Sequence, residues 1–127
     1  MGLAIVICER VITEAKTNNK TIVSTYNTVG ARGFPVAPPS MAIYAALTNA
    51  QGQKKIELRA THGGEEIARF GAIAEFTGPS QVFEMIFNLK NIVFPFAGLY
   101  TFEIFADDEY IFESRVNVVD QNERPSR

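Results

Sequence analysis

The sequence predicts an all-β protein, a single antiparallel β-sandwich of about eight strands, immunoglobulin-like or jelly-roll-like in architecture. Three observations carry this reading. Apolar positions recur every second residue and fall on β-branched and aromatic side chains, the pattern of a pleated surface with one buried face. Clusters of Asn, Asp, Gly and Pro separate these runs at intervals of one strand length. No stretch reads as a good amphipathic helix.

The segments follow in order. Residues 3–14 form a strand, apolar from Leu3 to Cys8 and amphipathic from Glu9, and Thr17-Asn18-Asn19-Lys20 turns the chain because Asn tolerates left-handed backbone. Residues 21–29 form a strand whose alternation favours neither face. Residues 30–39, G-A-R-G-F-P-V-A-P-P, hold three prolines and two glycines, which removes ladder donors and predicts a long structured loop. Met41 to Asn49 reads as a strand with Met41, Ile43, Ala45 and Leu47 on one face, a helix being the alternative left open. Ile56, Leu58 and Ala60 alternate with Glu57, Arg59 and Thr61 in a half-exposed strand. His62-Gly63-Gly64-Glu65 closes a hairpin into residues 66–77. Phe83, Met85, Phe87 and Leu89 share a face, as do Tyr100, Phe102, Ile104 and Ala106. Asp107-Asp108-Glu109 turns into a last strand from Tyr110 to Val119. Residues 1–119 are thus one domain, and 120–127, D-Q-N-E-R-P-S-R, a flexible polar tail.

Composition narrows the function. The chain of 127 residues is 46% hydrophobic and 20% charged, enough apolar surface for one core. A formal charge of −2 and no basic patch argue against nucleic acid. The apolar start lacks a basic flank and meets Glu9 at once, so it is neither a signal peptide nor a membrane span. Cys8 is the sole cysteine, which forbids an intrachain disulfide and fits a cytoplasmic location.

Candidate chemistry is sparse, so no enzyme and no cofactor are expected. His62 alone cannot supply a triad or a metal cluster and is read as a solvated turn residue. Cys8 lies in an apolar strand where burial makes a thiol inert. Glu65-Glu66 and Asp107-Asp108-Glu109 are acidic turns; at one end of a sandwich they would offer carboxylate oxygens to a weak Ca²⁺ site.

The candidate interaction surface is Arg32, Phe34 and Val36 on the proline-rich loop with Phe94 and Phe96 in N-I-V-F-P-F-A, large side chains on segments that cannot pair regularly. Ten phenylalanines exceed the expected need of one small core, and a sandwich has open edges that little charge guards here. These features predict a protein-interaction or self-assembling module, a homo-oligomer or the partner of another protein. The alternative is a small-molecule or carbohydrate-binding sandwich with Tyr26, Tyr44 and Tyr110 as stacking surfaces.

The run F-A-G-L-Y-T-F resembles the tyrosine corner of immunoglobulin-like sandwiches, with Gly98, Tyr100 and Phe102 in the matching places, although Phe102 stands where antibody domains carry Cys. That resemblance implies a structural hydrogen bond from the Tyr100 hydroxyl to backbone. More broadly, I-C-E near the start, F-P before a strand, A-G-L-Y-T-F-E-I and F-E-S-R-V-N-V resemble a family of uncharacterised bacterial proteins of about this size. It carries no established activity.

Overall fold

Alternation at every second residue puts one set of side chains into a shared core and the other outside, and the chain forms nine strands on this principle. The computed structural model describes residues 1–122. In chain order the strands are β1 (Gly2–Thr13), β2 (Lys20–Thr25), β3 (Thr28–Ala31), β4 (Ala42–Leu47), β5 (Gly52–His62), β6 (Glu65–Phe76), β7 (Phe83–Asn88), β8 (Gly98–Ala106) and β9 (Glu109–Asp120). They form a four-stranded sheet, β2-β1-β4-β7, and a five-stranded sheet, β3-β9-β8-β5-β6. No helix occurs among the described residues.

The two sheets share one core. Ile43, Ala45 and Leu47 of β4 and Met85 and Phe87 of β7 meet Ile56, Leu58, Tyr100, Phe102, Ile104, Val116 and Val118 of the five-stranded sheet. Residues 42–47 are therefore a strand, hydrogen-bonded to β1 and β7, and the helical alternative falls away. On the other face Ala42 and Ala46 are buried too while Tyr44 between them is half-buried, so β4 is apolar on both faces.

Two hairpin tips have backbone matched to their residues. Gly63 (φ 59°) and Gly64 (φ 83°) join β5 to β6, and Asp107 (φ 48°) and Asp108 (φ 67°) join β8 to β9. Positive φ at both central residues gives the turn whose twist matches that of the flanking strands. Asp107 also ties its tip to β5: its carboxylate accepts from the Lys55 amide at 2.9 Å and its amide donates to the Lys55 carbonyl at 2.8 Å.

Three details of the expected fold are refined. There are nine strands, not eight, because residues 20–31 are two strands. Ser24 takes a left-handed φ of 56°, and the chain crosses from one sheet to the other between Thr25 and Thr28. The fold is not purely antiparallel, since β3 lies parallel to β9, pairing Thr28 with Asn117 and Ala31 with Asp120. The last strand runs one residue past Val119: β9 reaches Asp120, and the Gln121 amide donates to the Ala31 carbonyl at 2.8 Å. The rest of the expected tail, residues 123–127, lies outside the described residues.

Candidate functional site

The two segments expected to form one interaction surface are joined at Val36 and Phe94, but most of their large side chains turn inward. Phe94 has no exposed surface; its ring lies 4.7 Å from that of Tyr100 and 6.5 Å from that of Phe102, both edge-on. Val36 holds it there, because the two residues exchange backbone hydrogen bonds of 3.0 and 2.8 Å. Phe34 and Val36 are half-buried against the core, whereas Arg32 is exposed and Phe96 is 64% exposed. The proline-rich loop thus plugs the core from one side, and its phenylalanine is packing. Of the ten phenylalanines, eight lie in the core or pack against it, Phe105 lies on the outer face beneath Arg59, and Phe96 is exposed.

The acidic turns cannot pool their carboxylates. Register pairs His62 with Tyr100 and Ile56 with Ala106, so the 63–64 tip and the 107–108 tip lie at opposite ends of the five-stranded sheet, about 20 Å apart. No cluster of metal-ligating side chains occurs among the described residues.

His62 is not a free turn residue. Its ring stacks on Tyr100 at 4.4 Å, its Nδ1 lies 3.0 Å from the Leu99 carbonyl, and it fills the space beside Gly98, whose φ of 135° excludes an ordinary side chain. Cys8 is fully buried, and burial pushes its thiol up.

The three tyrosines form no common platform. Tyr44 lies on the outer face of the four-stranded sheet and bonds the Glu84 carboxylate, and Tyr110 beside Phe105 bonds Glu113 at 2.9 Å on the five-stranded sheet. Tyr26 donates to the Ser40 carbonyl at 3.3 Å and lines a hollow of about 440 Å³ with Glu9, Val29 and Pro38.

A cluster that the sequence did not flag occupies the outer face of β5 and β6. Glu57 is buried there although it alternates outward, because three cations fold over it: Arg59 at 2.6 Å, Arg69 at 3.5 Å and Lys55 at 3.6 Å. Arg59 also reaches Asp108 at 3.3 Å and lies 3.8 Å above the Phe105 ring; Arg69 reaches Glu66 at 2.8 Å. The Arg59 hydrogen bond, aided by Lys55 and Arg69, holds the Glu57 carboxyl below its ordinary range against the opposing effect of burial. The arrangement cancels charge and clamps β6 to β5.

Beyond that clamp the sheet ends in an open edge. Among the described residues β6 pairs only with β5, and β7 only with β4, leaving a cleft of about 320 Å³ between these two edges. Phe70, Ala72, Met85 and Phe87 line it, and the rings of Phe76 and Phe83, 5.5 Å apart, close one end.

The edges differ in how they are guarded. β3 is only four residues long, and β2 is interrupted at Ser24. The first part of β6 carries Glu65, Glu66, Arg69 and a register shift between Ala60 and Thr61 of its neighbour that leaves Ile67 unpaired. From Phe70 to Phe76, F-G-A-I-A-E-F, there is neither proline nor lysine, Glu75 is the one charge, and Ile73 is 58% exposed. A weakly charged free edge is a template for another strand. The residues predict a strand here and no site, because being an edge is decided by which strands lack neighbours.

The comparisons with known proteins give a family and no function. No curated protein and no solved structure matches the chain. The model of a family of unknown function, DUF6941, matches residues 3–119, nearly the whole of the nine-stranded region, so the chain belongs to the DUF6941 family.

Proposed function

We propose that this chain is a non-catalytic protein-interaction or self-assembling β-sandwich module that associates through the free edge of β6. The observation that carries the reading is the run Phe70–Phe76, an edge segment with one charge and an exposed Ile73, opening onto an apolar cleft. The side chains best suited to catalysis are committed elsewhere, which supports a binding role: His62 is stacked and bonded, and the Cys8 thiol is buried. The shared core of the two sheets and the Tyr100 hydroxyl bonded to Phe96 support the immunoglobulin-like reading of the sandwich. The lone buried thiol supports a reducing, cytoplasmic setting.

Solution mass by light scattering, from low to high micromolar concentration, tests this function. A defined oligomer that Ile73→Lys weakens is the expected result, because a lysine on the edge opposes strand pairing. A strict monomer at high micromolar concentration overturns the reading.

A second reading, binding of a sugar or other small molecule, rests on the hollow where Tyr26 stands beside Glu9. A glycan and metabolite panel that shifts the thermal midpoint of the protein, and shifts it less in Tyr26→Ala, supports it. A panel without effect removes it.

A further inference from the structure

We infer that the occupant of the β6 edge is a second copy of this chain, paired antiparallel about a twofold axis through Ala72; the inference rests on the interaction reading above. Parity comes first. Directly opposite residues of an antiparallel pair point to the same face, so in a twofold pair one residue must oppose its own copy, and the choice is which one.

Along β6, Arg69, Gly71, Ile73 and Glu75 sit opposite the outward-facing Arg59, Glu57, Lys55 and Gln53 of β5 and share its outer face. With the axis at Ala72, Arg69 faces Glu75 of the partner subunit, and Ile73 faces the partner's Gly71. By symmetry both pairs occur twice. Glu75 makes no ion pair among the described residues, so its charge is available. Gly71 has open space where a Cβ would stand, the nearest atom being the Ile56 carbonyl oxygen at 3.9 Å, and Ile73 is 58% exposed. An unguarded apolar side chain thus meets an empty position.

On the inner face the same register sets Phe70 against the partner's Ala74, large against small, and Ala72 against its own copy. Moving the axis to Gly71 sets Arg69 against the partner's Ile73. Moving it to Ile73 sets Glu75 against the partner's Gly71. The Ala72 axis alone among these three joins the opposite charges, and it continues the five-stranded sheet into one of ten.

Ala72→Cys in the full chain tests the register. Cβ atoms of directly opposed residues lie about 5 Å apart, so mild oxidation is expected to yield a reducible covalent dimer. Ala68→Cys should not yield one, because its copy lies eight positions along the partner strand, about 26 Å away. Glu75→Arg sets like charges face to face twice and is expected to weaken association roughly tenfold or more. Circular dichroism and thermal melting of each variant, compared with wild type, separate loss of pairing from loss of fold.

A cross-link at position 72, absent at 68, together with dissociation by Glu75→Arg, supports the inference. An oligomer indifferent to Glu75→Arg and not cross-linked through position 72 overturns the inference and leaves the interaction reading standing. A strict monomer overturns both.

Discussion

The Tyr100 hydroxyl donates to the Phe96 carbonyl at 2.7 Å and accepts from the Phe96 amide at 3.1 Å, so one phenol satisfies both backbone polar groups of a single residue just before β8. The ring itself is fully buried between Phe94 and His62. Tyr100→Phe keeps the packing and strands those backbone groups. A loss of about 1–3 kcal/mol is expected, read in urea as a lower midpoint with an unchanged slope.

Phe94 and Phe96 are two residues apart and have opposite expected effects. Phe94→Ala empties a site with no exposed surface and should cost about 3–5 kcal/mol. Phe96→Ala removes a ring that is 64% exposed and should change stability by no more than about 0.5 kcal/mol. Parallel urea melts of the two variants check the contrast, and equal losses would contradict the burial of Phe94.

Glu57 gives stability an acid limb. Its carboxyl is held below its ordinary value, first by the Arg59 hydrogen bond and then by Lys55 and Arg69. A carboxyl with a depressed folded pKa contributes stability that is fully present above the unfolded value, about 4.3. That contribution is lost as pH falls through the lower folded value. Glu66, lowered by Arg69, adds in the same direction. Thermal midpoints from pH 7 down to 3 should therefore fall less steeply in Glu57→Gln than in wild type; parallel curves would remove Glu57 from the acid response.

Cys8 should report opening of the fold. Its side chain is fully buried in β1, with Sγ 3.5 Å from the Ala42 carbonyl, and burial pushes the thiol up. An aromatic disulfide reagent should react at once in denaturant and far more slowly in native buffer, at a rate set by opening of the structure. Immediate reaction of the native protein would show that β1 is not packed as described.

Part of the candidate site was legible in the residues and part was not. Gly63-Gly64 after an alternating run announces the hairpin that starts β6, and F-G-A-I-A-E-F shows its low charge. Neither states that β6 lacks a second neighbour. Glu57 was equally hidden: its outward position in β5 is local, but the cations that cover it come from β5 and β6 together, and Asp108 at the far β8–β9 tip holds Arg59 in place.

The all-β class, the places of the turns at 62–65 and 107–109 and most of the core faces are legible in the residues, because they follow from period-two burial and from turn-forming residue types. Tertiary structure alone decided the split of residues 20–31 between two sheets, the parallel pairing of β3 with β9, the burial of Phe94 and the freedom of the β6 edge. Each of these depends on contacts between residues far apart in the chain, and no local pattern encodes which distant strand will arrive.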